Sequence, residues 1–246
     1  MILEFDIALA SATLLPVLFY LFIIYLTSPF KTISLKYCLA FFVAGIFAPV
    51  CLDLIHAFFP LWNSINIISP IHQQFLTVAP QEELCKYIMF FIVYKNLDNE
   101  YELHPISYMY YFAIIGLGFA FIENIAYVSS YGPSVIMPRI LGPTIVHMFC
   151  GLLFGYWISL SRLRISNYFD RNTANVYLFK KPLVKKFAYW TIGFITACMF
   201  HGLWNFNIQT SGYAVDTVSI ILLFTGFVTV KLLRRDLIIQ YNKTLK

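Results

Sequence analysis

Six stretches of this chain run for about 20 residues each with almost no charge: Phe5–Leu26, Tyr37–Phe59, Ser107–Ser130, Ile140–Leu160, Phe187–Gln209 and Gly212–Val230. A helix rising 1.5 Å per residue needs that length to cross about 30 Å of hydrocarbon, where every backbone polar group must be bonded within the segment. A seventh, weaker run covers His72–Tyr94 and carries Glu82-Glu83-Leu84-Cys85-Lys86. No soluble core needs so much apolar material: 60% of the 246 residues are hydrophobic and 12% charged, about half the charged share of a soluble domain. The expectation is an all-α, multi-pass protein of the cell membrane, one polytopic domain over residues 1–246 with about seven transmembrane helices. The first run lacks a basic leader and has its small residues, Ala8–Ala12, at the wrong end for cleavage, so it reads as a retained span. Cys38, Cys51, Cys85, Cys150 and Cys198 are scattered through apolar runs with no C-x-x-C pair, which argues against a disulfide framework and a thiolate zinc site.

Loop charge orients the spans. Fifteen of the 17 Lys and Arg fall in loops 27–36, 95–106 and 161–186 and in the tail after Val230, all on one side of seven alternating spans. The other side has only Arg139, and Lys86 lies within a span. By the positive-inside rule the N-terminus is outside and the C-terminus cytoplasmic. The basic residues hug span ends, so anionic lipid headgroups are their expected neighbours and nucleic acid is not. Loop 161–186, with Tyr168, Phe169, Tyr177 and Phe179, reads as an interfacial segment.

Against this background Glu82, Glu83, Lys86, Glu123, His147 and His201 stand out. An ionisable group in hydrocarbon is costly, so each is a functional candidate by default. With the orientation above, Glu123 and His147 lie about 10 Å below the outer surface, His201 about 12 Å, and the Glu pair about 15 Å. Segments running in alternating directions thus place their polar groups in one layer, as convergence on a single site would require. Lys86 is i+4 from Glu82 and i+3 from Glu83, so it can neutralise one carboxylate and leave the other free. His201 and Asn205 share a helix face, and Gly151 and Gly155 follow His147 at the spacing that lets another helix approach. Pro80 predicts a helix start whose free amides favour an anion. Asp53 and His56, at i,i+3, read as a local polar pair, with a gating role as the minority view; His72 and Asp216 read as solvated interface residues.

These residues carry a resemblance. Ala79-Pro80-Gln81-Glu82-Glu83-Leu84-Cys85-Lys86 resembles the E-E-x-x-K motif of the PrsW family of intramembrane proteases, and the segment from Gly118 through Glu123-Asn124 to Tyr127 resembles its F-x-x-x-E-N motif. Arg139 with Pro143-Thr144-Ile145-Val146-His147, and His201-Gly202-Leu203-Trp204-Asn205, resemble its remaining two, all in family order across residues 79–205. The family is related to the CAAX prenyl endopeptidases and the bacteriocin self-immunity proteins. The resemblance implies hydrolysis of a peptide bond in a membrane-protein substrate near the extracytoplasmic face, as in site-1 cleavage of an anti-sigma factor.

Two chemistries stay open. In one, Glu82 or Glu83 takes a proton from water, Lys86 pairs the other, Glu123 and His147 orient, and His201 and Asn205 donate to the oxyanion. In the other, a metal such as Zn²⁺ is held by residues among Glu83, Glu123, His147 and His201. Asn124, Lys86 and Arg139 are read as supporting. A transporter, whose ionisable residues also face inward, and a non-catalytic relative that only binds a partner's helix are the competing classes. The near absence of polar residues from the inner halves of the spans weighs against a conduction path.

Overall fold

The computed structural model describes residues 7–28, 33–64, 69–97, 104–163, 165–170, 175–179, 183–212 and 216–244. Helix α1 (Ile7–Thr27) is followed by α2 (Leu35–Phe58), the short α3 (Pro60–Ser64) and α4 (Pro70–His72), which passes through a π-helical segment (Gln73–Val78) into α5 (Ala79–Lys95). Then come α6 (Ser107–Tyr131), a 3-10 turn (Pro133–Val135), α7 (Ile136–Leu141), α8 (Pro143–Arg162), α9 (Leu183–Ser211) and α10 (Thr217–Thr244). Five of these helical units are long and apolar enough to cross a membrane: α2, α6, the stretch Pro133–Arg162, α9 and α10. Of the other two expected spans, α1 contributes a shorter apolar helix, Ser11–Thr27, and Pro70–Lys95 carries the charged cluster.

The expectation of helix alone needs one amendment. Residues Ile165–Asp170 (β1) and Asn175–Phe179 (β2) pair as an antiparallel hairpin in the long loop, with Ser166 opposite Leu178. The pairing bonds backbone groups that a bare loop would leave to water. Lys31, Arg164, Arg171, Lys180, Lys181 and Lys246, which enter the loop-charge reading, lie outside the described residues.

Pro80 does not begin a helix. The preceding turn widens instead, with the Ala79 N–H bonded to the Gln74 carbonyl, and the chain continues helically from Pro70 to Lys95. A π turn accommodates a residue whose ring and missing N–H would otherwise break the ladder. The indole N–H of Trp62 reaches the Leu76 carbonyl in this turn at 2.7 Å. The helix-start amides expected ahead of Glu82 are therefore not free.

Helix α6 is the axis of the bundle and is buried throughout its first half, Ser107–Ala120. Missing side chains let its neighbours come close. A Cβ on Gly118 would lie 2.2 Å from the Phe42 carbonyl oxygen of α2, and one on Gly151 of α8 would lie 2.4 Å from the Phe112 carbonyl oxygen of α6. In a bilayer such backbone contact replaces the missing hydrophobic drive between helices. Below it, Phe90 stacks on Phe41 and Phe112 with ring centroids 4.9 and 4.0 Å apart, filling that half of the bundle with rings. Helices α1, α2, α9 and α10 turn Leu15, Phe47, Ile195 and Phe224 outward, as lipid contact requires. Gly132 ends α6 at φ 83°, ψ 176°, a conformation only glycine adopts readily, and the chain turns there beside the site.

Candidate active site

Four helices bring the sequence candidates together at one end of the bundle. On α5, Lys86 Nζ lies 2.7 Å from Glu83 Oε1 and 3.9 Å from Glu82 Oε2, so Glu83 is the carboxylate it neutralises. Glu83 Oε1 also meets His201 Nδ1 of α9 at 2.8 Å. Lys86 Nζ donates to His147 Nδ1 of α8 at 2.9 Å, which leaves the proton of that imidazole on Nε2, donated to Glu123 Oε2 at 2.9 Å. The two imidazole rings stand nearly perpendicular, with centroids 4.9 Å apart. Burial of so many charges is tolerable only because nearly every one has a partner.

Glu82 is the exception. Its Oε2 is buried without a hydrogen-bond partner among the described residues, 3.6 Å from His201 Nε2. Three carboxylates (Glu82, Glu83, Glu123) face two cations (Lys86, Arg139), which leaves one negative charge uncompensated.

Glu123 is held from outside the cluster. Arg139 donates through Nη2 to Glu123 Oε2 at 2.6 Å and through Nε to Asn124 Oδ1 at 2.7 Å, while its guanidinium lies 3.7 Å from the Tyr127 ring centroid. Asn124 Nδ2 donates to Thr144 Oγ1, which itself donates to the Arg139 carbonyl. Asn124 thus positions Arg139, and Arg139 holds Glu123. A cavity of about 600 Å³ opens over the group, lined by Glu82, Glu123, Arg139, His147 and Asn205.

Elsewhere the geometry departs from expectation. His56 Nε2 meets Gln81 Oε1 at 3.1 Å and not Asp53, which is exposed, because α2 packs on α5 and offers a nearer partner. Asp216 accepts the Ser219 amide at 2.7 Å and the Asn207 side-chain amide at 3.0 Å, capping α10. His72 Nδ1 meets Ser69 Oγ at 2.5 Å. Gln73, Gln74 and Gln209 line the cavity and were passed over in the sequence, where neutral amides near span ends give no alarm.

A family model described as PrsW family intramembrane metalloprotease matches residues 34–232. This chain belongs to that family. The Protease PrsW of Oceanobacillus iheyensis is 25% identical over 206 residues, covering 82% of this chain and 84% of the relative. The Protease PrsW of Geobacillus kaustophilus is 26% identical over 159 residues (64% and 68%), and that of Shouchella clausii 24% over 210 residues (85% and 87%). No solved structure matches. The chain is accordingly an intramembrane protease and a multi-pass membrane protein.

A metalloprotease needs ligands, and the cluster fits a cation. Ligand atoms of Glu82, His147 and His201 lie within 4.8 Å of one another, and a second buried group joins Glu83, Cys150 and His201. Glu82 and His147 of the first line the cavity, the Glu82 oxygen lacks a hydrogen bond among the described residues, and His201 Nδ1 is already on a carboxylate, the usual outer partner of a metal-bound imidazole. The carboxylate beside the two imidazoles is Glu82; the sequence reading offered Glu83, which falls in the second group, and Glu123, which falls in neither. Holding a metal on His147 Nε2 requires the imidazole proton on Nδ1, so Lys86 would then keep only its carboxylate partners.

Proposed function

We propose that this chain hydrolyses a peptide bond in the extracytoplasmic juxtamembrane segment of a single-span membrane protein, such as an anti-sigma-factor-like regulator. The observation that carries this reading is the Glu82 oxygen, buried beside two imidazoles with no hydrogen bond among the described residues, in a residue that lines an open cavity. Loop charge supports seven spans with the N-terminus outside, α1 and Pro70–Lys95 included, which puts the cavity mouth on the outer face.

Glu82, His147 and His201 would hold the metal, for which Zn²⁺ suits a carboxylate and two imidazoles. Held there, the ion would supply Lewis-acid chemistry, polarising a carbonyl and lowering the pKa of a water toward neutral. Glu123 is the base of this reading. Its Oε2 is held by Arg139, which would keep it once His147 Nε2 turns from that oxygen to the metal, while Oε1 has no hydrogen bond among the described residues and the side chain keeps 23% exposure beside the cavity. The water proton passes to Glu123 Oε1 as the oxygen bonds the carbonyl carbon, and the same oxygen returns it to the leaving nitrogen as the C–N bond breaks. The Asn205 amide, which also lines the cavity, donates to the carbonyl oxygen as it becomes negative. Glu83 keeps His201 oriented and balances Lys86. Stacked rings of Phe41, Phe90 and Phe112 fill part of the bundle core, which favours hydrolysis over transport.

Membranes of cells making the wild-type chain are compared with those making Glu82→Gln, scoring new extracytoplasmic N-termini by mass spectrometry. The termini should vanish in the variant, and metal content of the purified protein should fall from about one per chain to none. Chelation of the wild type should abolish cleavage and re-addition of zinc restore it. Unchanged termini in Glu82→Gln would remove the assignment.

A further inference from the structure

Beyond the reacting cluster, one more buried polar atom without a hydrogen-bond partner among the described residues belongs to a residue that lines the cavity. Gln74 is 8% exposed and lines the cavity from the π segment, yet its Oε1 has no hydrogen bond among the described residues. The rest of the amide is fixed. Gln74 Nε2 donates to Gln209 Oε1 at 2.8 Å, and Gln209 Nε2 donates to Gln73 Oε1 at 2.7 Å, a relay that ties the π segment to α9. The side chain therefore cannot turn to satisfy its oxygen without surrendering this bond. Buried acceptors are rarely left unmade, and an exception beside a reaction site calls for an absent donor.

Position identifies the donor. Gln74, Val78 and Glu82 line one wall at four-residue steps. In an unbroken α-helix Gln74 would sit about 80° around from Glu82, at 100° per residue. The wider π turn advances each residue by less and brings Gln74 round toward the Glu82 face, a use of π segments common at functional sites. Along the axis the eight-residue offset is about 12 Å, which an extended peptide rising about 3.3 Å per residue spans in three or four residues.

We propose that Gln74 Oε1 is a substrate-positioning acceptor, taking the backbone N–H of the residue three or four positions from the scissile bond, toward the cavity mouth. This rests on the proteolytic reading above and adds to it that the substrate is held there as extended backbone, so the grip is indifferent to side-chain identity. Gln74 touches no reacting atom. Its contribution is to KM.

The test uses the purified full-length protein in detergent and a substrate found by terminus mapping, prepared semisynthetically with single amide-to-ester replacements two to six residues from the cleaved bond. With the wild type, the ester at position three or four should lower kcat/KM about tenfold through KM, the effect of one lost hydrogen bond. Gln74→Met should show a similar loss on the all-amide substrate and no further loss from that one ester, while other ester penalties stay as in the wild type. Equal ester penalties in wild type and variant would overturn the proposal, because a merely structural glutamine shows no such coupling. The wild-type scan needs no variant, so should Gln74→Met fail to fold, insensitivity at both positions overturns the proposal and sensitivity there upholds it. A wild-type chain that cleaves nothing removes the proteolytic reading itself, and the proposal with it.

Discussion

Substitution of Gly116 by Ala should separate catalysis from folding. A Cβ at Gly116 would lie 2.3 Å from the His147 carbonyl oxygen and 2.9 Å from its carbonyl carbon. Ordinary contact begins near 3.4 Å, so α6 and α8 must part by about 1 Å at the residue that carries a proposed metal ligand. A misplacement of that size costs about 10²-fold in rate, or about 2.7 kcal/mol of transition-state stabilisation. Overpacking alone costs about 1–3 kcal/mol of stability. Gly118→Ala supplies the control, since its methyl would meet the Phe42 carbonyl oxygen of α2 at 2.2 Å, and α2 has no residue in the cluster. Both variants should lose Tm comparably in a detergent thermal-shift assay. Only Gly116→Ala should lose about a hundredfold in kcat/KM on the monodisperse fraction, with Gly118→Ala staying within about threefold. Full activity in folded Gly116→Ala, or equal losses in the two, would refute the claim that helix spacing sets the site.

Lys86→Met strands the buried Glu83 with His201 alone and should cost about 3–5 kcal/mol, read as lost Tm and monodisperse yield; adding Glu83→Gln should recover most of it. If the double variant is no better than the single, the pair is not what holds α5 in place. Arg139→Lys keeps the charge but loses the fork that grips Glu123 and Asn124 together, so kcat should fall at least tenfold with Tm nearly unchanged. Asp216, outside the spans, has its carboxyl held below the usual range by the Ser219 amide and the Asn207 side chain. Its folded value lies below its unfolded one, so its contribution is complete above about pH 4 and is lost as pH falls through the lower folded value. The Tm gap between wild type and Asp216→Ala should therefore be full at neutral pH and close in acid.

Much of the site was legible because a membrane makes ionisable residues conspicuous. Glu82, Glu83, Lys86, Glu123, His147 and His201 stood out by cost alone, and one layer of depth followed from 1.5 Å per residue and loop charge. The glycines after His147 likewise announced a close helix contact, and Gly151 makes it against Phe112. Pro80 misled, because a proline's missing donor can be met by a π turn as well as by a helix end, and here Trp62, from α3, bonds the Leu76 carbonyl within that turn. The Asp53–His56 pairing misled for a related reason: local spacing shows who can meet, and the neighbouring helix decided that His56 meets Gln81.

Composition and periodicity, then, determined that the chain lives in a membrane and which ionisable side chains are conspicuous there, since these depend on transfer energies and helix rise, both properties of the local chain. Only the tertiary structure decided that Lys86 and His201 claim Glu83 and leave Glu82 Oε2 without a hydrogen bond among the described residues, that Arg139 and His147 hold Glu123, and that Gln74, on the cavity wall, keeps an acceptor with no hydrogen bond among those residues. Partnership among buried charges depends on ångström distances between helices, and those distances are set by which backbones can touch.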